Sequence, residues 1–242
     1  NEINIAVIGL GQIGSYLLNE LKNKKKDILN KTGKKINIVA VSAKNKNKKR
    51  SFKINKKIFY SNPLEIIKKK KIDILFEAIG LSDGISKKIV EIAIKNKIHV
   101  ITPNKALISK HGDYLSKLAE KNKVNLEFEA SVGGGIPILR TIKEGLATNK
   151  ISKVYGILNG TCNYILSEME STKETFFNVL KKAQKLGYAE PGNPKLDLNG
   201  YDALAKVKIL SSLSFNKKIS QNNCLMEGIE NIESKDFDIA EQ

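Results

Sequence analysis

The sequence predicts an α/β protein in which a Rossmann-like, doubly wound parallel sheet is followed by an α+β domain. Two observations carry this prediction. Short apolar runs alternate with segments of helical periodicity from the N-terminus, which is typical of parallel βαβ units. A glycine-rich turn, residues 9–14, directly follows the first apolar run, residues 3–8. The pattern changes near Glu129, so we place a domain boundary at about residue 128.

The first half contains five apolar runs typical of buried parallel strands, at residues 3–8, 36–42, 73–76, 99–101 and 124–128. Helical periodicity is found at residues 12–21, 85–95 and 114–121. The lysine-rich segment 23–35 predicts a connector, and the one after residue 42 predicts a loop.

The second half predicts mostly helices. A glycine cluster at residues 133–135 precedes Pro137 and a helix that ends at about residue 146. One further strand is expected at residues 154–158. Additional helices are predicted at residues 164–169, 173–186 and 201–213.

The formal net charge of +17 raises the question of a nucleic-acid partner. The lysines are spread along the chain, arginine is scarce, and no basic run is interleaved with aromatic residues as in a single-strand binder. We therefore predict a solvated, lysine-rich surface and no nucleic-acid partner. Such a surface would still attract anions, including dinucleotide phosphates.

Cysteine usage and hydropathy indicate the compartment. Cys162 and Cys224 lie far apart without CxxC spacing, which predicts neither a disulfide framework nor a zinc site. No signal peptide precedes the first strand, and no apolar run approaches membrane-spanning length. We expect a cytoplasmic protein with no membrane partner.

Residues 9–14 read GLGQIG and fit the GxGxxG pattern between a strand and a helix, where it predicts dinucleotide binding. Gly9 permits the tight turn, Gly11 lets the backbone approach a pyrophosphate, and Gly14 permits close packing of helix on strand. The N-terminus of the helix favours the phosphate charge. A glycine turn without a ligand is the alternative.

The end of the second strand usually carries an acid that bonds the ribose 2′-hydroxyl of NAD. Residues 41–46 read VSAKNK instead, so the acid is absent and lysines crowd the position. A cation there would accept a 2′-phosphate. The sequence therefore favours NADP over NAD, with Lys44 as the expected contact.

Residues 187–190 and 196–206 together contain three carboxylates and a lysine. Asp202 and Lys206 are four residues apart on a predicted helix and so lie on the same side of it. The surrounding residues are apolar, and a lysine in such surroundings needs a partner and can change its protonation state. Taken alone, the pattern fits a surface ion pair worth about 0.2–0.5 kcal/mol.

Three further segments indicate that Asp202 and Lys206 belong to a functional site. Residues 102–108 read TPNKALI and place Lys105 beyond the fourth predicted strand, where ligands of doubly wound sheets bind. Residues 127–137 read EFEASVGGGIP, and residues 156–165 read GILNGTCNYI. With GLGQIG before them and LDLNGYDALAK at 196–206 after them, their order closely resembles that of homoserine dehydrogenases. The resemblance runs from residue 3 to the end of the chain.

The resemblance implies reversible, NAD(P)H-dependent reduction of L-aspartate 4-semialdehyde to L-homoserine, on the route to threonine and methionine. It implies a Rossmann-like domain at residues 1–128 and, at residues 129–242, a domain that binds substrate and forms a homodimer through a sheet. Family members normally continue past residue 242 into a helix and strands. We therefore expect the C-terminal part of the family's fold to lie outside this sequence.

The resemblance also implies roles for individual residues. Lys206 matches the lysine that gives or takes the proton at the carbonyl oxygen, Lys105 one that contacts cofactor and substrate, and Asp202 an aspartate near the reacting hydroxyl. Glu190 matches the glutamate that binds the substrate's ammonium. The remaining substrate-binding residues are Gly160, Thr161 and Asp197, and the cofactor-binding residues are Gly9, Gly11, Gln12, Ile13, Gly14, Lys44, Gly80 and Lys105.

A cation site is implied as well. Glu129, Val132, Gly134 and Ile136 match positions that hold a monovalent cation, mostly through backbone carbonyls. Such hard oxygen ligands suit sodium, and the ion would be structural.

The chain departs from the family pattern at one place. Residues 191–195 read PGNPK, where the family reads nearer to ADPT, so this loop is one residue longer and lacks the usual acid. We expect the loop that carries Glu190 to sit differently, while the spacing from Asp202 to Lys206 is intact.

Two alternatives stay open on the sequence. Another NAD(P)-dependent dehydrogenase of a small amino acid or aldehyde could share the fold, because fold does not fix function. A basic, dinucleotide-sensing nucleic-acid binder is the alternative outside enzymes.

Overall fold

The computed structural model of the chain describes residues 2–46, 48, 50, 55–192 and 194–241. The chain divides into two compact units, Asn1–Leu146 and Ala147–Gln242. Residues 129–146 therefore pack with the first unit. The functional boundary at about residue 128 stays a prediction.

The first unit is built on a six-stranded parallel sheet with the strand order β3-β2-β1-β4-β5-β6. The order reverses direction at β1, which confirms the predicted Rossmann-like, doubly wound sheet. It also brings the carboxyl ends of β1, β2, β4 and β5 to one edge. The strands are β1 Glu2–Ile8, β2 Lys35–Ser42, β3 Phe59–Tyr60, β4 Ile74–Glu77, β5 His99–Ile101 and β6 Leu126–Glu127.

The helices of this unit are α1 Gln12–Asn23, α2 Lys25–Thr32, α3 Leu64–Lys69, α4 Ile85–Lys95 and α5 Lys105–Asn122. After a 3₁₀ turn, Glu129–Ser131, the predicted helix beyond Pro137 is the short α6, Ile138–Arg140, continued by a π-helical turn, Thr141–Gly145. The central strand β1 is covered on both faces, because Ala6 and Val7 on opposite faces are both fully buried.

Two helices differ from the sequence-based prediction. Helix α2 lies where a lysine-rich connector was expected, because lysine is a good helix former and Gly33, at φ 65°, ends the helix in the left-handed region. Helix α5 begins at Lys105 instead of residue 114, because the side-chain oxygen of Asn104 accepts a hydrogen bond from Leu107 N at 3.1 Å and caps it. The predictions also omitted β3, which is too short to show a period, and α3.

The second unit is helical where it is described. Its helices are α7 Gly160–Thr172, α8 Phe176–Leu186, α9 Lys195–Leu198, α10 Tyr201–Phe215 and α11 Ser234–Ala240. Helices α7, α8 and α10 correspond to the three predicted helices, with shifted ends. The core of the unit is formed by Ile165, Met169, Phe176, Val179, Ala183, Ala189 and Leu198.

The strand predicted at residues 154–158 is wrong for this structure, since residues 151–159 have no regular secondary structure. A strand needs a neighbour for its backbone hydrogen bonds, and the described part of the second unit contains no strand that could pair with it. The apolar side chains that suggested it are exposed, Tyr155 at 86% and Ile157 at 78%.

Candidate active site

The glycine turn joins three strand ends through backbone contacts. Gly9 has φ 93°, and its N–H donates to Ser42 O at 2.9 Å at the end of β2. A Cβ on Gly9 would overlap Ala78 O, which follows β4. A Cβ on Gly14 would overlap Gly9 O. Both glycines are therefore required for packing, which brings the start of α1 directly against β1.

Gly11 differs from these two glycines because a Cβ there would meet no atom within 4 Å. It is the N-cap of α1 and provides no side-chain cap, while Gln12 and Ile13 in the first turn are exposed. The first amides of a helix have no intrahelical acceptor, so this turn presents donors and the positive end of the helix dipole to the adjacent space. That arrangement suits a pyrophosphate.

The other predicted cofactor residues lie at the same edge of the sheet. Lys44 follows the end of β2, Gly80 follows the end of β4 with φ 91°, and Lys105 opens α5 just after β5. The carboxyl edge of a doubly wound sheet is where dinucleotides bind. The structure thus places all the predicted cofactor residues of this unit at one edge.

Sequence reasoning missed a buried polar network at this edge. Glu77, the last residue of β4, is fully buried, and its carboxylate accepts hydrogen bonds from Ile79 N at 2.8 Å and from Thr102 Oγ1 at 2.6 Å. Asn104 Nδ2 lies 3.3 Å from both carboxylate oxygens and donates to Leu81 O at 2.8 Å. The sign of this network in the sequence is a charged residue at the end of an apolar strand, on the edge of the sheet where ligands bind.

In the second unit, Lys206 and Asp202 form the ion pair that their spacing predicts. Lys206 Nζ lies 2.8 Å from Asp202 Oδ2 and donates to Leu158 O at 2.6 Å. The two side chains are only 19% and 11% exposed, so the pair is not a solvated surface bridge. Burial lowers the pKa of Lys206 below its ordinary value of 10.5, and the charge of Asp197 offsets part of that shift.

Asn159 connects the two aspartates, a role that sequence reasoning did not assign. Its Nδ2 donates to Asp197 Oδ1 at 2.7 Å and to Asp202 Oδ2 at 3.0 Å, while its Oδ1 accepts from Cys162 N at 2.8 Å and caps α7. Asn159 is 9% exposed. Three predicted site residues, Lys206, Asp202 and Asp197, therefore share one hydrogen-bonded network.

The remaining substrate residues lie beside the start of α7. Gly160 and Thr161 form its first turn, and Thr161 Oγ1 donates to Tyr188 O at 2.7 Å. Glu190 is exposed in the loop that follows Tyr188. Gln184 Nε2 secures this loop from α8 by donating to Glu190 O at 3.2 Å and to Gly192 O at 2.7 Å. The hydroxyl of Thr161 can still accept a hydrogen bond.

The predicted cation residues lie in the turn between β6 and α6. Both carboxylate oxygens of Glu129 are engaged, since they accept from Leu139 N and Arg140 N at 2.8 Å each. The predicted ligation would therefore use backbone carbonyls, of which that of Glu129 also accepts from Val132 N at 3.3 Å and that of Ile136 from Ile138 N at 2.9 Å. Backbone carbonyl oxygens are hard ligands that suit a cation such as sodium, and the cation site stays a prediction. Among the residues that the structure describes, no group of three His, Cys, Asp or Glu side chains could hold a metal ion.

Sequence profiles of two domains match the chain. The one described as "Homoserine dehydrogenase, NAD binding domain" matches residues 9–129, and the one described as "Homoserine dehydrogenase" matches residues 137–242. The chain belongs to the homoserine dehydrogenase family. The predicted resemblance is thereby confirmed.

Individual homoserine dehydrogenases give the same result. The protein of Neisseria gonorrhoeae is 39% identical over 240 residues, which are 99% of this chain and 54% of that protein. A crystal structure from S. aureus matches with a TM-score of 0.86 and 39% identity over 100% of this chain and 60% of that one. The structure from Thiobacillus denitrificans matches with a TM-score of 0.89 and 36% identity over 100% of this chain and 55% of that one. The chain thus spans about half the length of the curated relatives it matches.

One further finding concerns membranes. Over the described ranges, helices long and apolar enough to cross a bilayer are absent.

Because the surroundings of Gly14 and Gly11 differ, we expect substitution by alanine to affect stability at Gly14 and cofactor binding at Gly11. Gly14→Ala should destabilise the protein by about 1–3 kcal/mol, because the new methyl overlaps Gly9 O. Gly11→Ala should change stability by less than about 0.5 kcal/mol. It should still weaken NADPH binding, because its methyl enters the space beside the first helical turn. Urea denaturation and NADPH fluorescence titration measure the two effects, and equal stabilities of the variants would contradict the assigned packing.

Proposed function

We propose that the chain performs the reversible, NAD(P)-linked interconversion of L-homoserine and L-aspartate 4-semialdehyde. The carrying observation is the mostly buried Lys206, held by Asp202 and Leu158 O in a member of this family. The motifs of both family domains are present, and the two domain matches favour neither another dehydrogenase activity nor nucleic-acid binding. A cytoplasmic location stays a prediction.

Lys206 is proposed as the acid and base. A bound nicotinamide supplies the hydride chemistry. Reduction places negative charge on the carbonyl oxygen of the semialdehyde, and an ammonium aimed at that oxygen stabilises the charge and gives it a proton. In the oxidation of homoserine, neutral Lys206 takes the hydroxyl proton. Asp202 and Leu158 O hold Nζ in place for both directions.

The other charged residues are proposed to bind the substrate's amino-acid end and the cofactor. Glu190 is exposed and suits an ammonium, and Asp197 supports the site through Asn159. Gly160 and Thr161 offer backbone amides and a hydroxyl to the carboxylate at the N-terminus of α7. Lys105, at the edge of the sheet where the nicotinamide end would lie, contacts cofactor and substrate.

The proposal includes NADP, sodium and a homodimer. Lys44 supports NADP, as its cation follows β2 where an acid would select NAD. The carbonyls of the turn with Glu129, Val132, Gly134 and Ile136 support a structural sodium. The dimer is supported by the exposed segment 152–157, whose apolar side chains and backbone groups suit pairing with a second copy.

The activity is tested by following NADP and NAD reduction with L-homoserine beside other hydroxy amino acids. We expect homoserine-dependent reduction by the wild type. Lys206→Ala should lower kcat by about 10²-fold or more while NADPH still binds, because the residue acts on the substrate oxygen. The matched control is Lys208→Ala on the same helix. Near-normal turnover of Lys206→Ala would contradict the role of this lysine.

The lowered pKa of Lys206 predicts the pH dependence. The base form is required for oxidation, so kcat for homoserine oxidation should rise with pH and level off above the pKa of Lys206. Because burial lowers that pKa, the midpoint of the rise should lie below 10.5. Lys206→Arg should remove this rise, since the guanidinium stays protonated. An unchanged profile in that variant would assign the titration to another group.

Cofactor preference is tested at Lys44. The wild type should bind NADP more tightly than NAD, and Lys44→Glu should reduce this preference by about tenfold or more, because a carboxylate repels the 2′-phosphate. Isothermal titration with both dinucleotides measures it, and Lys31→Glu, in α2, controls for net charge. The same preference in Lys44→Glu and wild type would remove Lys44 from the proposal.

A further inference from the structure

Glu77 is a charged side chain for which the proposed chemistry gives no role. It is fully buried at the carboxyl end of β4. An ionised carboxylate is costly to bury unless several donors bond to it. The surrounding groups provide those donors, so Glu77 is the acceptor at the centre of a hydrogen-bond network.

The carboxylate is fixed from the side of the sheet. Glu77 lies in register with Ile8 of β1, and its carboxylate accepts a hydrogen bond from Ile79 N at 2.8 Å. Its position is thus set by the central strands of the sheet.

From that position the carboxylate holds the segment that precedes α5. Thr102 Oγ1 donates to it at 2.6 Å and also accepts from Asn104 N at 3.0 Å. Asn104 Nδ2 lies 3.3 Å from both oxygens, while its Oδ1 caps α5 through Leu107 N. Lys105 directly follows this N-cap residue. Its backbone is therefore held by Glu77 through Thr102 and Asn104.

We propose that Glu77 is the positioning residue for Lys105. The inference rests on the proposed function, in which Lys105 contacts cofactor and substrate. Every group bonded to the Glu77 carboxylate is a donor, so the site needs an acceptor on both oxygens. A glutamine has the same shape but replaces one oxygen with a donor. The N–H group of the glutamine would face the donor Ile79 N–H or Thr102 O–H. The hydrogen bonds that hold the start of α5 would then be lost.

The first test is the effect of Glu77→Gln on turnover. At saturating substrates kcat should fall about tenfold or more, because small displacements of a reacting group are costly, whereas KM for homoserine should change less than about threefold. Glu91→Gln is the matched control, as Glu91 lies in α4 of the same unit in a partly exposed ion pair with Lys87. Thermal denaturation establishes that each variant is folded at the assay temperature. Thr102→Val replaces Glu77→Gln if the latter fails to fold.

A double-mutant cycle separates positioning from general stability. If Glu77 acts through Lys105, then adding Glu77→Gln to Lys105→Ala should change kcat by less than about twofold, since coupled residues are not additive. Full additivity of the two substitutions in kcat would overturn the proposal. A merely structural role would lower the melting temperature without this pattern.

A measurement that does not depend on turnover tests this inference separately from the proposed activity. Competitive acetylation, followed by mass spectrometry, measures the reactivity of Lys105 with Lys110 of the same helix as reference. Glu77→Gln should raise the relative reactivity of Lys105 about threefold or more, because the helix start is released. Unchanged reactivity would overturn the inference. Absence of homoserine-dependent turnover in the wild type would instead overturn the proposed function.

Discussion

The close approach of Gly14 to the carbonyl oxygen of Gly9 is the constraint on which the first unit depends. It sets α1 directly on the end of β1 and leaves the space beside Gly11 open for a ligand. The same turn is bonded to Ser42 O of β2 and abuts Ala78 after β4. Three strand ends are therefore aligned by backbone atoms alone, and side chains at this edge are left to recognise the ligand.

In the second unit, the main constraint is the placement of charged side chains close together in mostly buried surroundings. Lys206 and Asp202 are mostly buried, and Asn159 adds a neutral donor to both aspartates. The same asparagine caps α7. Its one side chain thus fixes both the carboxylates and the start of α7. A neutral amide does this without adding charge to a site that already balances two acids against one base.

The sequence predicted the parallel, doubly wound sheet and the ion pair, because the alternation of strands and helices and the four-residue spacing are both local patterns. Strand β5 and helix α4 have the predicted limits, since each is an uninterrupted apolar pattern between polar residues. The start of α5 was missed because its cap, Asn104, is held by a carboxylate 27 residues away in sequence. The segment at 154–158 has the composition of a strand but no partner in the described part of its unit, and composition does not encode a partner.

The bonds of Gln184 bear on how the Glu190 loop can change in length. This side chain donates to the carbonyls of Glu190 and Gly192, on one arm of the loop, from the rigid helix α8. Gly192, at φ 93°, then lets the chain turn away. Residues added after this point lengthen only the span that leads to α9. A change of loop length after this point would therefore leave the backbone of Glu190 in place.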